Sequence, residues 1–139
     1  LILSSSDAIH WKTCPSETNE NYRKIFFNEN KFVALCNDGS LYSSLDGNTW
    51  SRVATDKNMA DLSYSITSGN GQFVAVGASG FILTSNDGAS WQRIRSPTQM
   101  DLHSVVFGNN LFVAVGYFGT IITSPAVIKT EILKIKNPI

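Results

Sequence analysis

Short apolar runs punctuated by Gly, Asn, Asp and Ser recur along this chain, and the pattern of one run returns in the next two. Phe32, Phe73 and Phe112 open the runs FVALCNDGSLYSS, FVAVGASGFILTS and FVAVGYFGTIITS, spaced 41 and then 39 residues apart. A partial copy stands first, where LILSSSDAIHW over 1–11 matches FILTSNDGASW over 81–91. A period near forty with strand-like content indicates propeller blades or a similar array.

Each repeat reads as four short strands. In the best copy the pattern predicts strands over 64–68, 72–77, 81–85 and 90–95, with turns at 69–71 and 78–80 and a loop at 86–89. Strand lengths near five, β-branched content and Gly/Asn punctuation favour antiparallel hairpins over helices. The earlier repeat gives strands over 22–27, 31–36, 40–44 and 49–54, and the later one strands over 102–107, 111–116 and 120–124. The tail 126–139 is read as the missing fourth strand, although Ile128, Ile132 and Ile135 also suit a helical stripe. The linkers 15–21, 55–61 and 96–101 are polar and carry Pro, Asn or Asp, as exposed connections do. The organisation is therefore one repeat region, 1–139: a half blade over 1–14 and blades over about 22–54, 62–95 and 102–135.

Composition narrows the function classes. Lys plus Arg and Asp plus Glu both number 11, and charged residues make up 16% of the 139 residues. No sustained field attracts nucleic acid or anionic lipid. No apolar run approaches the roughly 20 residues that cross a bilayer, so membrane insertion is not expected. Cys14 and Cys36 fit neither a metal spacing nor a redox pair. They read as two small buried thiols, with a disulfide between neighbouring blades as the alternative. No metal or cofactor motif is present, and no compartment is encoded in the sequence.

The chemistry-bearing pattern lies between third and fourth strands. Ser44-Leu45-Asp46-Gly47-Asn48-Thr49-Trp50 and Ser85-Asn86-Asp87-Gly88-Ala89-Ser90-Trp91 share Ser, Asp, Gly, Thr/Ser and Trp at fixed spacing. An Asp carboxylate can accept from the amides of its own tight turn, Gly takes the positive φ, the hydroxyl ties the loop and Trp buries its ring. Ser5-Ser6-Asp7-Ala8-Ile9-His10-Trp11 is a degraded copy without Gly, and the segment after Ser124 has lost both Asp and Trp.

These hairpins resemble Asp boxes, one residue shorter than the usual pattern. With the FVAVG strands they resemble the sialidase-like, BNR and YVTN-type β-propeller repeats, photosystem II assembly factors among them, over about 1–124. The resemblance implies an all-β partial propeller of about three and a half blades, each of four antiparallel strands. It implies a structural role for Asp7, Trp11, Ser44, Asp46, Gly47, Thr49, Trp50, Ser85, Asp87, Gly88, Ser90 and Trp91, and leans toward an extracytoplasmic setting. Function does not follow from it, because the same blades carry hydrolases, receptors and scaffolds.

A sialidase requires an arginine cluster, a Tyr with a Glu partner and an Asp acid/base. Here Arg52 and Arg93 follow a Trp at equivalent positions and read as solvated, and Arg95 lies close by. Tyr22-Arg23-Lys24-Ile25 only loosely echoes the F/Y-R-I-P motif, and Glu17, Glu20, Glu29 and Glu131 fall in loops, turns or the tail. His10 and His103 have no partnering motif. No catalytic residue is therefore assigned.

Blade geometry puts the first strand on the central channel and the second-to-third turn on one face. Arg23, Tyr64 and His103 share one repeat position there, and the turns differ as Asn37-Asp38, Ala78-Ser79 and Tyr117-Phe118. Adjacent aromatics in a turn can stack on a sugar or anchor a peptide. The candidate ligand face is Arg23, Tyr64, His103, Asn37, Asp38, Tyr117 and Phe118. The expectation is a non-catalytic binding or assembly module for a protein or glycan ligand. The alternative is part of a sialidase-like glycoside hydrolase whose catalytic residues lie outside this chain. Further blades in the same chain, or self-association, are expected to close the ring.

Overall fold

In the computed structural model the described residues are 1–15, 19–28, 30–53 and 63–124, and they form strands, turns and loops without an α-helix. Strands β1 (Ile2–Ser4) and β2 (Lys12–Cys14) make a two-stranded hairpin. Two four-stranded antiparallel sheets follow: β3 (Tyr22–Asn28), β4 (Lys31–Cys36), β5 (Leu41–Ser44) and β6 (Ser51–Arg52), then β7 (Ser63–Gly69), β8 (Gln72–Gly77), β9 (Ile82–Ser85) and β10 (Gln92–Ile94). The last sheet holds β11 (Leu102–Gly108), β12 (Leu111–Gly116) and β13 (Ile121–Thr123). The tail predicted as a fourth strand lies outside the described residues, as do Glu17, Glu29, Glu131 and the linker 55–61.

The sheets pack face to face like propeller blades. β7 lies against both β3 and β11, so the first strands run side by side along one inner wall. Each interface has an apolar core. Val33, Leu35 and Leu41 of the first sheet meet Ile66, Phe73, Ala75 and Leu83 of the second, all buried. Val74 and Val76 on the opposite face meet Leu102, Val105 and Ala114 of the third. Strand alternation explains this, since neighbouring residues of β8 point to opposite blades. Ser65, buried at 2% exposure, links all three sheets: Lys24 Nζ donates to its hydroxyl at 3.0 Å, and its oxygen accepts the Val105 amide at 3.4 Å.

Burial at one repeat position shows where the array is open. Ile66 is 0% exposed and Val105 2%, whereas their counterpart Ile25 is 51% exposed. Similarly Val76 is 1% exposed and Val115 41%. The outer face of the third sheet and the inner half of the first carry apolar residues that have a blade against them elsewhere in the chain.

The outer strands are shorter than the pattern predicts: β6 and β10 begin at Ser51 and Gln92, because the preceding Thr or Ser and the Trp stay in the loop. Both cysteines are buried free thiols, so the disulfide reading is set aside. Burial pushes the Cys36 thiol up from its ordinary value, which makes it less reactive.

Candidate functional site

Three loops of one design close one end of the sheets. In the first full copy Asp46 Oδ1 accepts the amides of Asn48 (2.8 Å) and Thr49 (2.7 Å), while the Ser44 hydroxyl donates to it at 3.0 Å. The second repeats this, with Asp87 Oδ1 accepting from Ala89 (2.8 Å), Ser90 (2.7 Å) and the Ser85 hydroxyl (3.0 Å). Gly47 and Gly88 take φ of 72° and 68°, and each Trp indole N–H donates to the carbonyl of its own Gly, at 3.1 Å for Trp50 and 3.3 Å for Trp91. Amide donors to the charged form hold both carboxyls near a pKa of about 2, led by Thr49 for Asp46 and by Ser90 for Asp87.

The degraded copy closes the same way. Asp7 Oδ1 accepts the Ile9 and His10 amides at 2.9 and 2.8 Å, and Ala8 occupies the glycine position at φ 61°. His10 stands where Thr or Ser stood and places Nδ1 2.8 Å from Asp7 Oδ2, so it has a partner that its sequence context did not suggest. That contact, first, and the amides hold the Asp7 carboxyl well below its ordinary range. The expected burial of Trp needs correction. Trp50 and Trp91 are half-buried, at 6.3 Å from Phe32 and 6.2 Å from Phe73 between ring centroids, and Trp11 is 59% exposed.

The opposite end of the sheets gathers the other candidates. Each first strand carries a β-bulge, where the register slips between Tyr22 and Lys24, between Ser63 and Ser65, and between Leu102 and Ser104. The extra residues are Arg23, Tyr64 and His103. A bulge releases its residue from the ladder and re-aims its side chain, and here three bulges in adjacent blades aim along one row. The Arg23 guanidinium lies 5.7 Å from the centre of the Tyr64 ring, Tyr64 stacks on His103 at 5.6 Å, and His103 meets Tyr117 edge-on at 4.2 Å. Tyr117 in turn meets Phe118 at 6.3 Å.

The turns that flank the row are tied to the loops entering the first strands. Arg23 Nε donates to Asn37 Oδ1 at 3.1 Å, the Asn37 amide donates to the Asn21 carbonyl at 2.8 Å, and the Tyr117 amide to the Asp101 carbonyl at 3.1 Å. Burial pushes the Asp38 carboxyl up, but the Ser40 hydroxyl and amide and the charge of Arg52 more than offset it and hold it below its usual range. Phe118 is 91% exposed and takes φ 54°, ψ 35°. That left-handed conformation is costly for a bulky aromatic residue. Ser79, its counterpart, shares the conformation, and its amide donates to Asp101 Oδ1 at 2.8 Å. Beside it an open hollow of about 800 Å³ is lined by Arg93, Arg95 and Thr98. Arg93 is exposed as expected, yet its guanidinium lies 4.9 Å from the centre of the Phe81 ring.

The seven candidate face residues thus lie at one end of the sheets, with Asp38 at the far side of the Asn37 turn. Sequence reasoning missed Asn21, Lys24, Ser65 and Asp101, which fix the loops and the inner strands. The bulge itself had one signal, three unlike side chains at a single repeat position. Chemically the row offers one guanidinium and a series of aromatic surfaces. Among the described residues no group of three or more His, Cys, Asp or Glu is placed to hold a metal ion.

No family model matches this chain, and no curated protein matches it. Solved structures do. The chain is similar to YCF48 bound to D1 peptide, with a TM-score of 0.64 and 19% identity over 77% of this chain and 37% of that one. It is similar to YCF48 from Cyanidioschyzon merolae, with a TM-score of 0.62 and 15% identity over 85% of this chain and 44% of that one. The computationally designed Ika4 protein gives a TM-score of 0.57 and 17% identity over 74% of this chain and 64% of that one. The chain therefore spans less than two thirds of the length of each. The shared feature is the fold: these are β-propeller blades, all-β, in a partial propeller.

Proposed function

We propose that this chain is a non-catalytic module of BNR-type blades, forming one repeat region, that docks a partner polypeptide on the row from Arg23 to Phe118. The carrying observation is the alignment of three bulged residues from three blades into one arginine–aromatic row, ending in a strained, exposed Phe118. Structure is not what such an arrangement serves best, since bulges interrupt the ladder and Phe118 packs little of its ring. Interfaces, by contrast, are enriched in Tyr, Phe and Arg. The similarity to a YCF48 bound to a D1 peptide supports a polypeptide ligand by fold-level analogy. In this reading the Asp hairpins at the other end are Asp boxes that brace the blades, because each Asp carboxylate is engaged by its own loop and is not directed at a ligand.

The test is selection of dodecapeptides from a random display library against the intact chain, followed by affinity measurement on variants. Tyr117→Ser with Phe118→Ser, and separately Arg23→Ala, should weaken the selected peptides at least tenfold while the melting temperature stays within a few degrees. Equal affinity for all variants overturns the assignment. A glycan is the second reading, favoured by the open Phe118 ring, which can stack on a sugar face. It predicts that the same variants lose binding on a glycan array.

A further inference from the structure

The apolar interface between the second and third sheets continues outward into a cavity of about 220 Å³, walled by Val74, Val76, Ile82, Val105, Phe112 and Ile122. One repeat earlier the corresponding place is filled. There Gly88 sits so close to the first sheet that a Cβ would come within 3.0 Å of Val33 and 3.2 Å of Lys31, and Trp91 packs against Phe73. Lys31, Val33 and Phe73 correspond to Gln72, Val74 and Phe112, and all three of these line the cavity. In the first sheet the matching loop lies on its own blade, with Gly47 against Phe32 and Trp50 packed beside Ala34 and Tyr42, and the Gly47 carbonyl accepts from Cys14 Sγ of the half blade at 3.5 Å. In the third repeat the position of the Trp falls on Thr130, and 125–139 contains neither Gly nor an aromatic residue. Residues 125–139 thus bring no ring to this position.

We propose that this cavity is a docking site for the indole of a tryptophan carried by a partner polypeptide. Its walls are the counterparts of those in the cluster of the first and second sheets, against which the ring of Trp91 already packs. Its volume falls below the roughly 300 Å³ at which drug-sized pockets begin, which suits one ring system. Thr84 and Ser124 stand in the lining, and a hydroxyl oxygen can accept the indole N–H. The site is separate from the arginine–aromatic row: Gln72 begins β8, and the turn leading to the row's face follows the other end of that strand.

The experiment is a titration of the intact chain, with ¹³C-methyl-labelled Ile and Val, by N-acetyl-tryptophanamide. Saturable shifts at the methyls of Val74, Val76, Ile82 and Ile122, with nuclear Overhauser contacts from the indole protons to Val74 and Ile122, are expected. Thr84→Phe should weaken binding at least tenfold, and Tyr117→Ser should leave it unchanged. The contacts on the unaltered chain carry the test if Thr84→Phe does not fold. The proposal is overturned if those methyls do not shift, if N-acetyl-alaninamide shifts them equally, or if they show contacts to residues 125–139, which would make the chain's own tail the occupant.

Discussion

The imidazole of His103 stacks on the ring of Tyr64, centroids 5.6 Å apart and planes 13° from parallel, although the two residues belong to different sheets. His103 also presents its ring to Tyr117 at 4.2 Å, so one side chain couples the bulge of the second sheet to the turn of the third. Replacing it with Ala removes both partners. Because His103 is exposed, the loss of stability should be small, about 1 kcal/mol as for aromatic pairs generally. The local effect should be larger: aromatic proton resonances of Tyr64 and Tyr117 lose their ring-current displacement in His103→Ala. Unchanged Tyr64 shifts would mean that the stack does not persist in solution.

Phe118 separates stability from recognition. Its positive φ costs a bulky L-residue about 1 kcal/mol, and its 91% exposed ring buries almost nothing in return. Phe118→Gly is therefore expected to raise stability by up to about 1 kcal/mol, seen as a higher midpoint in urea, while lowering affinity for any peptide selected on the intact chain. A variant that loses stability instead would show that the ring packs in a way the structure does not record.

The Asp hairpins fix a pH dependence. Asp46 and Asp87 have their pKa lowered from an ordinary 3.8 to about 2 on folding, and Asp7 is lowered as well. The unfolded chain therefore takes up protons first as the pH falls. Stability from these groups is complete above about pH 4 and drains away as the pH drops toward 2. Thermal melts followed by circular dichroism should show that fall, and Asp46→Asn with Asp87→Asn should melt lower at pH 7 and lose less between pH 4 and 2. Parallel curves for parent and variant would place the acid sensitivity elsewhere.

The three Trp residues should differ in weight although they occupy one motif position. Removal of a fully buried Trp costs about 3 to 5 kcal/mol, but Trp50 and Trp91 are only half-buried, which brings the expectation to about 2 kcal/mol for each Ala variant. Trp11, 59% exposed, should cost under about 1 kcal/mol, in the range of surface changes. Chemical denaturation of the three single variants tests the order, and a Trp11→Ala loss equal to that of Trp91→Ala would contradict it.

How much of this was legible in the sequence depends on whether neighbours in the chain or neighbours in space set the answer. The inner strands could be read from FVALC, FVAVG and FVAVG because alternation and turn residues act locally, and the hairpins because one Asp organises its own loop. The sequence pattern starts β6 and β10 too early, since Thr49 and Ser90 look like strand residues until their amides are drawn to the Asp carboxylate. Ala8 at φ 61° shows the converse, a loop held by hydrogen bonds strongly enough to form without its glycine. The row of Arg23, Tyr64 and His103 was placed at one repeat position, but its bulges, its stacking and the cross-blade bonds of Ser65 are products of packing between repeats, which no single repeat encodes.

Ser65 offers the sharpest test of that packing. It is a buried hydroxyl in β7 that receives Lys24 Nζ from the first sheet and the Val105 amide from the third. Ser65→Ala leaves the Val105 amide without this acceptor at a buried position and strips Lys24 of a partner, which should cost about 1 to 3 kcal/mol. Lys24 can swing toward solvent and recover its hydration. The amide of Val105 cannot, because it is fixed in β11. The variant should therefore show accelerated hydrogen exchange at Val105 and its strand neighbours, more than at Lys24. If exchange rises uniformly across all three sheets, the loss is global destabilisation and Ser65 is one more small core residue; if it rises first in β11, Ser65 is the pin that joins the blades.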